Sequence, residues 1–170
     1  MASTVVTKKY ELTNETRVLN NHTLYRIKSL RDFADVKAGQ LGGFIENEKN
    51  LSHDGNCWVY GNALVLNSGR VSENARVYHN AIIAGYVYGN AIVLGKSIIY
   101  DHAHVYGNAQ IYDHARVVNY VHIYENANSH GIVMILEKTR DDIETRSYIE
   151  LLSDNEIKII WLRNKAFLKL

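Results

Sequence analysis

The chain of 170 residues has almost no excess charge of either sign, with 19 Lys and Arg against 18 Asp and Glu and a net of +1 when histidine is neutral. That balance lacks the basic excess of a nucleic-acid binder and the acidic excess of a protein that imitates DNA over its whole surface. Cys57 is the single cysteine, so no intramolecular disulfide is available. Met1 to Lys9 has no apolar core, so a secretory leader is not expected. The apolar run from Gly131 to Leu136 is far too short to span a membrane. No phosphate loop, Cys-x-x-Cys pair or nucleophile motif occurs. These absences leave one or two small soluble domains in the cytoplasm.

What is present is a period of six. It starts at Val59-Tyr-Gly-Asn-Ala-Leu64 and continues through units opened by Val65, Val71 and Val77. After a four-residue unit, Ile83-Ala-Gly-Tyr86, it resumes with units opened by Val87, Val93, Ile99, Val105, Ile111, Val117 and Ile123. Each unit opens with Val or Ile, which suits a buried pleated surface. Nearly all carry a small residue at the fifth position, where the chain bends. Positions three and four hold Gly61-Asn62, Gly89-Asn90 and Gly107-Asn108, or Asp101-His102 and Asp113-His114. Such residues tolerate positive φ and bond locally to the backbone, as a tight corner requires. Three sides make a coil of about eighteen residues, so the run predicts a mainly β protein, a parallel β-helix of about four coils.

These units resemble the hexapeptide repeat of left-handed β-helix proteins, a family best known for acyltransferases. The resemblance implies left-handed coiling, although parallel crossovers are ordinarily right-handed. Leu41-Gly-Gly-Phe-Ile-Glu46, Asn50-Leu-Ser52 and Cys57-Trp-Val-Tyr-Gly-Asn-Ala63 are similar to hexapeptide-repeat proteins encoded by phages and prophages. The general repeat covers close to half of the chain, and the resemblance does not extend past His130.

The flanks carry most of the charge. Residues 1–50 read as an amino-terminal cap over the open end of the β-helix, 51–130 as the repeat, and 131–170 as a carboxy-terminal element. In the cap, Tyr10–Leu12, Arg17–Leu19 and Leu24–Ile27 are expected as short strands separated by turns at Asn14-Glu15 and Asn20-Asn21-His22. Ser29 to Ala34 is expected to make a helical turn. In the tail, a strand over 132–136, a helix over 141–152 and a strand over 156–162 predict a small α/β element, read either as a cap or oligomerisation unit or as a partner-binding one.

Several side chains then become candidates. Tyr60, Tyr78, Tyr88, Tyr100, Tyr106, Tyr112 and Tyr124 all hold the second position of a unit and point outward if the first points in. Tyr88, Tyr106 and Tyr124 share a face and predict a stacked ladder, which either stabilises the sheet or, with Trp161 of the tail, contacts a partner. Tyr60, Leu64, Tyr78, Ile82, Leu94, Ile98 and Tyr112 are expected to form one apolar strip, the interface of a homo-oligomer. His79, His102 and His114 fall at corners and read as solvated. His104 and His122 are expected to stack, and no third ligand accompanies them, so no metal is assigned. An acyltransferase of this family would use a histidine as general base. The repeat, however, has no long insertion to cover an acceptor, and four coils are short for an acceptor site and a pantetheine groove together. No catalytic residue and no cofactor are therefore assigned. The expected function is that of a non-catalytic phage-derived protein in the bacterial cytoplasm that inhibits a host machine, foremost a CRISPR effector complex, by stoichiometric contact with that protein or nucleoprotein assembly. The alternatives are an acyltransferase with an acyl-coenzyme A donor and a structural, polymer-forming module.

Overall fold

The computed structural model describes residues 7–119, 121–129, 132–134, 146–153 and 156–162. Its body is a parallel β-solenoid of about four coils. Three sheets of very short strands run along it. Sheet 1 stacks Leu64–Val65, Ile82–Ile83, Ile98–Ile99, Arg116–Val118 and Ile132–Met134. Sheet 2 stacks Trp58–Val59, Arg76–Val77, Ile92–Val93, Gln110–Ile111 and Asn128–Ser129. Sheet 3 stacks Arg70–Val71, Tyr86–Val87, His104–Val105 and His122–Ile123.

The opening residues of the units all point inward. Val59, Val65, Val71, Val77, Ile83, Val87, Val93, Ile99, Val105, Ile111 and Val117 are wholly buried, as are Ala63, Ala75, Ala81, Ala91, Ala103, Ala109 and Ala115 at the corners. Each six-residue side turns at its position three, where φ is positive; the four-residue side turns without a positive φ. Gly61, His79, Gly95 and Asp113 make the corner between sheets 2 and 1, and Glu73, Gly89, Gly107 and Glu125 that between sheets 3 and 2. Val93 pairs with Ile111 eighteen residues on, whereas Val77 pairs with Val93 after only sixteen. The four-residue side absorbs the difference. A Cβ on Gly85 there would lie 2.7 Å from the Ala103 carbonyl oxygen, so that position has no room for a side chain.

At the amino-terminal end, β1 (Tyr10–Leu19), β2 (His22–Ser29) and β3 (Leu41–Ile45) extend sheet 1. β2 is antiparallel to both β1 and β3, and β3 then pairs in parallel with Leu64–Val65. Tyr10 closes the first coil, its hydroxyl donating to the carbonyls of Leu51 at 2.8 Å and Glu48 at 3.1 Å. Asn20 and Asn21 turn the β1–β2 hairpin with positive φ, as their residue types predict.

Three expectations about the flanks need correction. Asn14-Glu15 is not a turn: β1 runs through it, with a register shift between Leu12 and Thr16. The segment 29–34 is not helical, because Phe33 and Val36 exchange backbone hydrogen bonds of 3.0 and 2.8 Å in a tight bridge. The expected helix over 141–152 is a strand where the structure describes it: Arg146–Ser153 pairs antiparallel with Glu156–Leu162. Its register sets Tyr148 opposite Ile160 and Ile149 opposite Ile159, residue types of high strand propensity. Among the described residues the one helix is a 3₁₀ turn, Glu48–Asn50. None is long and apolar enough to cross a membrane.

A ring-lined face as candidate functional site

On sheet 3 the outward residues flank each inward Val or Ile. Those before it are Arg70, Tyr86, His104 and His122; those after it are Ser72, Tyr88, Tyr106 and Tyr124. Parallel in-register strands bring equivalent positions within about 4.8 Å of one another, close to a stacking distance. Two ladders of rings result. Tyr86, His104 and His122 stack with centroids 4.6 Å apart at both steps and planes within 17°. Tyr88, Tyr106 and Tyr124 stack at 4.9 and 5.3 Å, with planes 1° and 13° apart.

The ladders stand side by side and meet edge to face. Tyr88 lies 6.0 Å from His104 at 88°, and Tyr106 lies 6.1 Å from His122 at 90°. Stacking occupies the faces of the inner rings, so this surface offers ring edges and polar tips to a partner, not open aromatic planes. A third row follows at the adjoining corner: Asn74 donates to Asn90, Asn90 to Asn108 and Asn108 to Asn126, at 3.1, 3.1 and 3.2 Å. Beside it the Glu73 carboxylate accepts from the Gly89 amide at 2.9 Å.

His104 is the most constrained group on the face. Its Nδ1 is buried without a hydrogen-bond partner among the described residues. Burial, then the neighbouring His122 and His102, push its pKa down, which keeps the imidazole neutral. His79, His102 and His114 lie at exposed corners, as expected. The His79 Nδ1 accepts from the Gly95 amide at 3.3 Å. No cluster of three or more His, Cys, Asp or Glu able to hold a metal occurs among the described residues.

The apolar strip is divided differently from the expectation. Because the corner falls at positions three and four, position six already belongs to the next sheet. Tyr60, Tyr78, Leu94 and Tyr112 therefore lie on sheet 2, whereas Leu64, Ile82 and Ile98 lie on sheet 1 around the corner. Part of each row is covered by the chain itself. Leu64 is buried against Leu24, Phe44, Leu66 and Ala84, and the Phe44 ring carries the guanidinium groups of Arg17 and Arg26 at 4.7 and 4.4 Å. On sheet 2, Trp58 packs beneath Phe33 and Tyr10. Asp35 accepts from the Tyr60 hydroxyl at 2.8 Å and pairs with Arg76 at 3.0 Å, and Tyr60 stacks on Tyr78 at 4.3 Å. Burial, then the bond to Asp35, raises the Tyr60 pKa.

Trp161 lies opposite Ser147 in the carboxy-terminal hairpin, a two-stranded sheet of its own. Tyr86 was not among the candidate tyrosines, because it ends the short unit and does not hold a second position. Its signal was the next residue, Val87, whose predecessor must face outward.

Fold and surface together define a parallel β-solenoid of hexapeptide repeats. Residues 109–125 match the family described as YdcK Beta solenoid repeat. The chain is also similar to the Escherichia coli (strain K12) protein named "Uncharacterized acetyltransferase YdcK", with 36% identity over 90 residues. That match covers 48% of this chain and 28% of the relative.

Proposed function

We propose that the protein works by stoichiometric binding, with the ring-lined face of sheet 3 as its docking surface. The observation that carries this is the pair of adjacent ladders, six rings held in register across three coils with their edges outward. Such a surface is flat and pre-organised, so little side-chain entropy is lost when it is covered. Tyrosine also anchors interfaces well because an apolar ring ends in a hydroxyl. The partner we propose is a protein or nucleoprotein machine of a bacterial host, foremost a CRISPR effector complex, which the protein would inhibit. The support for that target is the resemblance of 41–63 to phage-encoded repeat proteins. Self-association through the apolar rows on either side of the sheet 1–sheet 2 corner belongs to the same proposal, and a light-scattering mass of one chain would remove that part.

A second reading is favoured by the name of the Escherichia coli relative: an acetyltransferase. His104, held neutral, would then be the candidate general base. Titration against a purified CRISPR effector complex separates the two. Binding predicts an effect that saturates near one protein per target and weakens roughly 30-fold when Tyr88 and Tyr106 are both changed to Ser, the loss of about 2 kcal/mol expected of an interface anchor. An effect that persists at strongly substoichiometric protein, depends on an acyl-coenzyme A donor and disappears in His104→Ala would overturn it in favour of transfer.

A further inference from the structure

The only thiol of the chain is held in contact with an amine. Cys57 is fully buried in the first coil, and its Sγ lies 3.2 Å from the Nζ of Lys9, also buried. The same Nζ donates to the Cys57 carbonyl at 2.9 Å and reaches those of Asp54 and Gly55 at 3.4 Å. The Lys9 backbone amide is fixed in turn on the His53 Nδ1 at 3.2 Å. The amine is therefore anchored by the turn around the thiol, with no carboxylate among these partners. Burial pushes the Lys9 pKa down and the Cys57 pKa up, which moves both groups toward their neutral forms, amine and thiol. A buried thiol by itself is inert; a lysine nitrogen held in contact with it changes what oxidation can produce.

We propose that Lys9 and Cys57 form an oxidative N–O–S cross-link that fastens the amino-terminal strand to the first coil. The oxidant is dioxygen. The S–H bond and one N–H bond break, and one oxygen atom becomes bonded to both Sγ and Nζ. The other oxygen leaves as water with the two hydrogens. Sulfur and nitrogen each give up two electrons, the four that dioxygen takes. The bridge joins residues 48 apart in sequence and so holds Tyr10, which closes the coil, against its hydrogen-bond acceptors. A thiol reductant reverses it. The state of the bridge then governs how firmly the end of the solenoid is closed, independently of what the ring-lined face binds.

The test uses the full chain, incubated in air-saturated buffer or under reductant and analysed by intact mass, peptide mapping and thermal unfolding. The expected result is a gain of one oxygen with loss of two hydrogens, a peptide joining Lys9 to Cys57, reversal by reductant, and a melting temperature raised by about 5 °C or more. Cys57→Ser and Lys9→Gln should each abolish the mass change. Two results overturn the proposal: an unchanged mass with the thiol fully titratable after unfolding, or a gain of oxygen with no loss of hydrogen, which is sulfenic acid without capture by the amine. The peptide map of the unaltered chain decides the matter even where Lys9→Gln fails to fold.

Discussion

His104 is stacked between Tyr86 and His122, with Tyr88 against its edge, and its Nδ1 has no partner among the described residues. A proton on this ring would be placed in a poorly solvated site beside His122 and His102, and no carboxylate is among the groups that shift it. Its folded-state pKa lies below the unfolded one, so the unfolded chain binds the proton first as pH falls. The stability tied to the neutral ring is complete above the ordinary histidine value of about 6.5. It is lost as pH drops through the depressed folded value. His53 is shifted the same way by burial and adds to the trend. Melting temperature should therefore fall on acidification from about pH 7.5 to pH 5, and His104→Phe, which keeps a ring in the ladder and removes the proton, should flatten that slope. An unaltered slope in His104→Phe would assign the pH dependence to other groups.

At the scale of the strand, inside and outside alternate within two or three residues, and substitutions one position apart should differ sharply. Val105 is wholly buried where the three sheets enclose the core, whereas Tyr106 is half-exposed in its ladder. Val105→Asp forces an unpaired carboxylate into a dry core at a cost of several kcal/mol, enough to unfold a protein whose net stability is typically about 5–15 kcal/mol. Tyr106→Ser removes two stacking contacts and should cost about 1–2 kcal/mol. Urea unfolding of both variants checks this, and equal tolerance would show the pleat inverted. This alternation was legible from the sequence because Val and Ile recur at one position and Ala at another. The division of the apolar strip was not. A six-letter unit written from its first inward residue places position six beside position one, whereas the chain turns between them, at Gly61, His79, Gly95 and Asp113. The carboxy-terminal strand was misread for a related reason: in Arg146–Ser153 the spacing of apolar residues fits a helix as well as a strand, and only pairing with Glu156–Leu162 decides.

For the whole molecule, the consequence of a fixed period is that coils are interchangeable while fractions of a coil are not. Each coil contacts its neighbours alone, so the stability of the solenoid is close to a sum of coil and interface contributions. Val93 pairs with Ile111, and Ile99 with Val117, each eighteen residues on. Deletion of residues 93–110 joins Ile92 to Ile111 and removes one full turn. It should leave Val77 stacked on Ile111, Ile83 on Val117 and Tyr88 on Tyr124, with every inward position still inward. Deletion of 93–101, half that length, joins Ile92 to His102 and offers His102 to the core where Val93 stood. The long deletion should retain the β signal and a cooperative transition at somewhat lower melting temperature, because one layer of core is gone. The shorter one should lose both, although it removes fewer residues. Circular dichroism and thermal unfolding of the two variants side by side make the comparison, and greater stability in the half-coil deletion would mean that the coils do not carry the fold as equivalent layers.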